Sequence, residues 1–117
     1  MGLTAGALVP HPPILLPEIG GNRLNAVQQT RNALEKLKEV FSGVELFIFS
    51  SPHTPILASG FTVNVAPALK SNFADFGFSS LTISLPSNTK LAQFLIDALI
   101  KQGLPVEATY STKIDWG

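Results

Sequence analysis

The sequence predicts an α/β domain of three layers, with a mostly parallel or mixed sheet of about five strands and two main helices. Three observations predict it. Segments of strand length, either apolar runs (5–9, 46–49) or apolar-polar alternations (61–65, 81–85), recur along the chain and end at 106–109. Two longer stretches, 24–41 and 88–102, instead repeat their apolar residues every three or four positions. Glycine or proline punctuates the junctions between them, which suits short connections. With 117 residues the chain has enough material for one hydrophobic core and reads as a single domain, 1–117.

Taken in order, residues 5–9 are short and apolar and read as a buried first strand. Pro10, Pro12, Pro13 and Pro17 then hold the chain extended through a loop that ends at Gly20-Gly21. Leu24, Val27, Thr30 or Arg31, Leu34, Leu37 and Phe41 define an amphipathic helix, with Asn22 as its candidate cap, Lys36 and Lys38 near its C-terminal end and Gly43 as its stop. Leu46-Phe47-Ile48-Phe49 fits an interior parallel strand, so strand, helix and strand would form a right-handed crossover unit.

Phe61, Val63 and Val65 alternate with Thr62 and Asn64, as a strand with one polar face does. The next fourteen or so residues read as a loop, and Phe73, Phe76 and Phe78 within it read as pins to the core. Leu81-Thr82-Ile83-Ser84-Leu85 alternates strongly and stops at Pro86. Ser87 or Asn88 then caps a second helix reaching about Gln102, with Leu91, Phe94 or Leu95, Ala98 and Leu99 on its apolar face and Gly103 as its stop. Residues 106–109 make a final strand.

Composition excludes several functions. Eight basic and eight acidic residues cancel, and no basic stripe gathers a phosphate backbone, so nucleic acid is not an expected partner. Charged residues are 14% of the chain, below the roughly 25% usual for globular domains, which leaves apolar surface for a partner. There is no cysteine, which removes disulfides, thiolate catalysis and thiolate metal clusters. Residues 1–9 lack the basic start of a signal peptide, and no apolar stretch reaches the roughly 20 residues that span a bilayer. A soluble, cytoplasmic protein with no membrane association is the expectation.

The chemistry concentrates in two motifs, Pro10-His11-Pro12-Pro13 and Ser51-Pro52-His53-Thr54-Pro55, which hold both histidines of the chain. Each directly follows a predicted strand, where open α/β sheets present functional side chains. If the two strands are neighbours, their ends lie roughly 5–10 Å apart, within reach of one ion. The flanking prolines narrow the conformations of each loop and lower the entropic cost of fixing the ring. His11 and His53 therefore read either as a shared metal site or as two ordinary loop histidines.

Two histidines and a carboxylate suit non-haem Fe(II), with positions left open for substrate and dioxygen. Glu18 shares the loop of His11, although a place at a helix N-terminus explains it equally well. Asp115 reaches the site if the tail folds back. Glu35, Glu39 and Asp97 read as solvated or paired helix residues, and Glu45 and Glu107 fall at the wrong ends of their strands. Ser50 and Ser51 precede His53 without a nucleophile-elbow pattern, and their expected role is hydrogen bonding within the loop.

The run Gly6-Ala7-Leu8-Val9-Pro10-His11-Pro12-Pro13-Ile14, a helix, and then Phe47-Ile48-Phe49-Ser50-Ser51-Pro52-His53-Thr54-Pro55 resembles the amino-terminal part of the class III extradiol ring-cleavage dioxygenase superfamily. The nearest branch is that of the protocatechuate 4,5-dioxygenase B subunit and the MEMO-like proteins, and the resemblance extends over essentially the whole chain. It implies metal-ligand roles for His11 and His53, Fe(II) as the metal with Zn(II) as an alternative occupant, and an aromatic diol as substrate of a completed site.

In that family the third ligand is a glutamate far downstream, outside these residues. The family's Asp-His-Gly element corresponds to Asp115-Trp116-Gly117, where an indole that only donates replaces an acid-base imidazole. The resemblance thus implies a shortened domain. It is either a metal-binding part completed by self-association or a complementary protein, or a non-enzymatic MEMO-like interaction or structural protein with a degenerate site and no metal.

Overall fold

The computed structural model describes residues 2–53 and 57–113. The chain divides into two compact units, Met1–Ser50 and Ser51–Gly117, which are taken separately.

In the first unit a 3-10 turn at Pro13–Leu15 leads into a one-turn helix α1 (Pro17–Gly20), a 3-10 run at Gly21–Val27 and helix α2 (Gln28–Val40). Proline opens both of the first two elements, where a missing N–H costs nothing and the fixed φ is already helical. The half-buried positions of the helical stretch are Leu24, Val27, Thr30, Arg31, Leu34, Leu37 and Phe41. They coincide with the predicted apolar stripe. Its start differs, because Asn22 sits inside the 3-10 run and α2 begins after Val27 without a side-chain cap. Gly43 ends the helical stretch at φ 80°, and Glu35 and Lys38 form an exposed ion pair of 2.7 Å one turn apart.

The two predicted strands of this unit, 5–9 and 46–49, carry no β-ladder; strand chemistry alone does not make a sheet until a neighbour satisfies the backbone groups. Leu8 and Ile48 stand exposed, and Phe49 is 78% exposed. The local geometry is nonetheless strand-like. Phe47 and Phe49, two residues apart, stack at 5.9 Å on one side, as alternate side chains of an extended chain do, and Phe41 meets Phe47 edge-on at 5.6 Å. Leu8, Val9 and Pro10 border one open groove with Ala33, Leu34 and Leu37 of α2.

The second unit carries strands β1 (Phe61–Asn64), β2 (Ala68–Phe73), β3 (Phe78–Pro86) and β4 (Val106–Thr109), with helix α3 (Thr89–Lys101) before β4. β1 and β4 pair in parallel, from Phe61 opposite Val106 to Asn64 opposite Thr109, and α3 packs on both. β2 and β3 form an antiparallel hairpin inserted into that β-α-β connection. The described residues therefore form a mixed α/β structure with four strands in two two-stranded sheets.

β1, β4 and α3 fall within a residue or two of their predicted places. The stretch predicted as a loop after Val65 instead contains β2, whose sequence Ala-Leu-Lys-Ser-Asn-Phe has weak strand propensity and takes its conformation from pairing with β3. Of the three phenylalanines expected to pin that stretch, Phe73 is buried, Phe78 half-buried and Phe76 exposed. Among the described residues of this unit, Ala66, Phe73 and Ile96 are buried. On α3 the inner side is Ala92, Leu95, Ile96, Ala98 and Leu99, while Leu91 and Phe94 are exposed. This resolves the choice between Phe94 and Leu95 in favour of Leu95.

Local polar contacts fix the ends of these elements. Asn88 caps α3, its Oδ1 accepting from the Leu91 N–H at 3.1 Å. At the other end the Leu104 N–H reaches the Leu99 carbonyl and the Gly103 N–H reaches that of Ile100, with Gly103 at φ 77°, a Schellman closure. Gly103→Ala places a side chain in left-handed backbone and is expected to cost about 1–2 kcal/mol, read from the urea midpoint. At the start of β1 a Cβ on Gly60 would lie 2.6 Å from the Pro105 carbonyl, the same oxygen that accepts from the Phe61 N–H, so the parallel pair closes only over glycine.

Asn64 ties the end of β1 to the chain beyond β4. Its Oδ1 accepts from the Ala66 N–H at 2.8 Å, and its Nδ2 donates to the Ser111 carbonyl at 2.9 Å. Asn64→Ala deprives both groups of a partner beside the buried Ala66, and the expected loss is about 1–3 kcal/mol, measured by denaturant unfolding against Asn64→Asp, which keeps the acceptor.

Candidate functional site

His11 lies in the first unit, after an apolar run without regular secondary structure and two residues before the 3-10 turn. The turn is held by the Leu15 N–H on the Pro12 carbonyl at 3.0 Å and the Leu16 N–H on the Pro13 carbonyl at 2.9 Å. Pro12 itself is extended, with φ −68° and ψ 135°. The imidazole is thus carried on a short, proline-stiffened backbone, and the residue is exposed.

His53 lies in the second unit, in a turn at Pro52-His53, and is also exposed. Its backbone N–H donates to the Ser51 Oγ at 3.2 Å. That bond gives Ser51 the loop-stabilising role expected of it, since a serine hydroxyl accepting from the N–H two residues on mimics a backbone turn. Thr54 and Pro55, the rest of this motif, lie outside the described residues, as does the Asp115-Trp116-Gly117 tail.

The acidic residues are dispersed. Glu18 occupies the first turn of α1 and is exposed, the place where a carboxylate meets unsatisfied N–H groups. Glu35 is paired with Lys38, and Asp97 accepts from the Gln93 Nε2 at 3.0 Å, as expected of helix-surface carboxylates. Among the described residues no group of three or more histidine, aspartate or glutamate side chains is gathered so as to hold a metal ion. Asp115 falls outside the described residues. Each histidine is an exposed imidazole-bearing residue beside proline.

A second polar feature had no signal in the sequence. Lys113 bridges Lys70 of β2 as a parallel neighbour, with the Lys70 N–H on the Thr112 carbonyl at 2.6 Å. The contact joins residues far apart in the chain, so no local spacing or periodicity announces it.

No family model matches the chain, and no solved structure matches it. Protein CA_C1420 of Clostridium acetobutylicum is 22% identical to it over 107 residues, which are 90% of this chain and 23% of that protein. The chain therefore spans about a quarter of the length of the curated relative it matches. Among the described residues no helix is long and apolar enough to cross a membrane.

Proposed function

We propose that this chain is part of a class III extradiol-dioxygenase-like domain that holds a divalent metal, Fe(II) or Zn(II), through His11 and His53. The observation that carries the reading is the equivalence of two motifs: each histidine is flanked by proline and follows a short apolar run, and each is exposed outside the helices and strands. In the same reading 5–9 and 46–49 become strands of a mostly parallel or mixed sheet of about five strands in three layers. Their exposed Leu8, Phe47 and Ile48 are consistent with a sheet still to be completed, by a second copy or a complementary protein.

The donor set fits the metal in part. Two neutral imidazoles supply two of the ligands that such sites use, and a carboxylate from further polypeptide supplies the third. When bound, Fe(II) would supply open positions for an aromatic diol and dioxygen. The contribution of this chain is to present His11 and His53 with little conformational freedom, Ser51 fixing the second loop from within.

The exposure of Leu46, Phe47, Ile48 and Phe49 favours a second reading, a non-enzymatic MEMO-like interaction or structural protein in which the histidines hold no metal. Anaerobic titration of the full chain with Fe(II), and separately with Zn(II), decides between them. Saturable binding of one ion that broadens or shifts both imidazole resonances is the expected result. Failure to bind either ion, alone and in a stable complex with a partner, would overturn the metal reading and leave the interaction reading standing.

A further inference from the structure

We propose that the polar face of the β2–β3 hairpin binds a phosphate-class oxyanion on Lys70 and Lys113, a site that uses neither histidine. The strand register builds it. Alternation puts Lys70 and Asn72 on one face of β2, and their partners Ser84 and Thr82 stand opposite them on the same face of β3. The other face carries Leu69, Ile83 and Leu85, so the hairpin is polar on one side and largely apolar on the other. Lys113 extends the polar side, since its parallel bridge to Lys70 sets the two lysines side by side. Across this face the order is Ser84, Lys70, Lys113, and all of these residues border one open groove.

The charge pattern distinguishes this face from an ordinary solvated one. Like charges directly opposite on neighbouring strands repel, and exposed strand faces usually intersperse both signs. Neither β2 nor β3 contains an acidic residue. Among the described residues neither Lys70 nor Lys113 has a carboxylate partner for its ammonium. A bound dianion would convert the repulsion into two charge-assisted contacts, with lysine acting as a point-charge binder of phosphate. The Ser84 and Thr82 hydroxyls and the Asn72 Nδ2 add neutral donors on the same face; the Asn72 Oδ1 is already engaged by the Ala74 N–H at 2.9 Å. Several donors around two cations match a tetrahedral oxyanion better than a planar carboxylate, which offers fewer acceptor directions.

The test is a titration of the full chain with inorganic phosphate at fixed ionic strength and pH 7.5, followed by amide resonances, with succinate as a carboxylate dianion of similar charge. The expected result is saturable shifts centred on Lys70, Ser84 and Lys113, with phosphate binding about tenfold more tightly than succinate. Lys70→Gln and Lys113→Gln should each weaken phosphate by about tenfold or more, whereas Lys113→Arg retains it. The same glutamine variants should unfold at higher urea concentration than the parent in phosphate-free buffer, because the repulsion is relieved, and gain less from added phosphate. Equal binding of phosphate and succinate, shifts that do not saturate, or phosphate affinity unchanged in both glutamine variants would overturn the proposal.

Discussion

Replacing Ile96 by alanine is expected to destabilise the chain by about 2–5 kcal/mol, the largest effect of any single apolar truncation on α3. Ile96 is 5% exposed and is the only buried side chain of that helix among the described residues. Its removal forfeits the transfer free energy of the lost methyl groups and leaves space that α3 and the β1–β4 pair can refill only by shifting. Domain stabilities of about 5–15 kcal/mol make a loss of that size visible as a large fall in urea midpoint. Phe94→Ala is the matched control. That ring is 69% exposed, so the change should stay within about 0.5 kcal/mol despite removing the larger group. If Phe94→Ala costs as much as Ile96→Ala, the inner side of α3 has been assigned wrongly.

The second large effect concerns the metal. In the proposed site His11 and His53 supply the donors of this chain, so alanine at either removes half of its contribution. Loss of even an outer hydrogen-bond partner of a metal ligand typically costs about 10–100-fold in affinity, and loss of a ligand itself should cost at least as much. His11→Ala and His53→Ala are each expected to weaken Fe(II) or Zn(II) by at least about 100-fold, measured by competition with a chromophoric chelator. Both residues are exposed, so the urea midpoints of the variants should remain near that of the parent. Additivity supplies the sharper reading: two ligands of one ion are coupled, so the double variant should be little worse than either single one. Loss of one binding event in each single variant, with the affinity of a second event unchanged, would assign the histidines to separate sites and end the shared-site reading.

The elements read correctly from sequence are those whose signal is local. The stripe from Leu24 to Phe41 reappears residue for residue on the half-buried side of the helical stretch, because a 3.6-residue period is a property of the chain itself. Asn88 and Gly103 bound α3 for equally local reasons, a side-chain oxygen on an N–H and a backbone that needs left-handed φ.

What sequence did not reveal depends on partners. β2 is a strand because β3 lies beside it, although Lys70, Ser71 and Asn72 argue for a loop. Residues 46–49 are the converse, with strong strand propensity and no paired neighbour among the described residues. Ile96 was missed because Leu91 and Phe94 obey the same helical period and are equally apolar, and only packing distinguishes the sides. The site follows the same division. The proline-bounded histidines and the loop role of Ser51 are local and legible, whereas the bridge between Lys70 and Lys113 is set by tertiary structure.

The extended run Leu46-Phe47-Ile48-Phe49 has one more consequence, for how the chain behaves at high concentration. Four consecutive apolar, strand-prone residues without charge or proline are the composition from which intermolecular β-stacking nucleates. Glu45 and Pro52, on either side of the stretch, are the residue types that act as gatekeepers against such growth, one by repulsion and the other by breaking a ladder. Their presence confines the exposed stretch to a length that a single neighbouring strand can cover. Neutralising Glu45 is therefore expected to favour pairing of the exposed stretch with copies of itself.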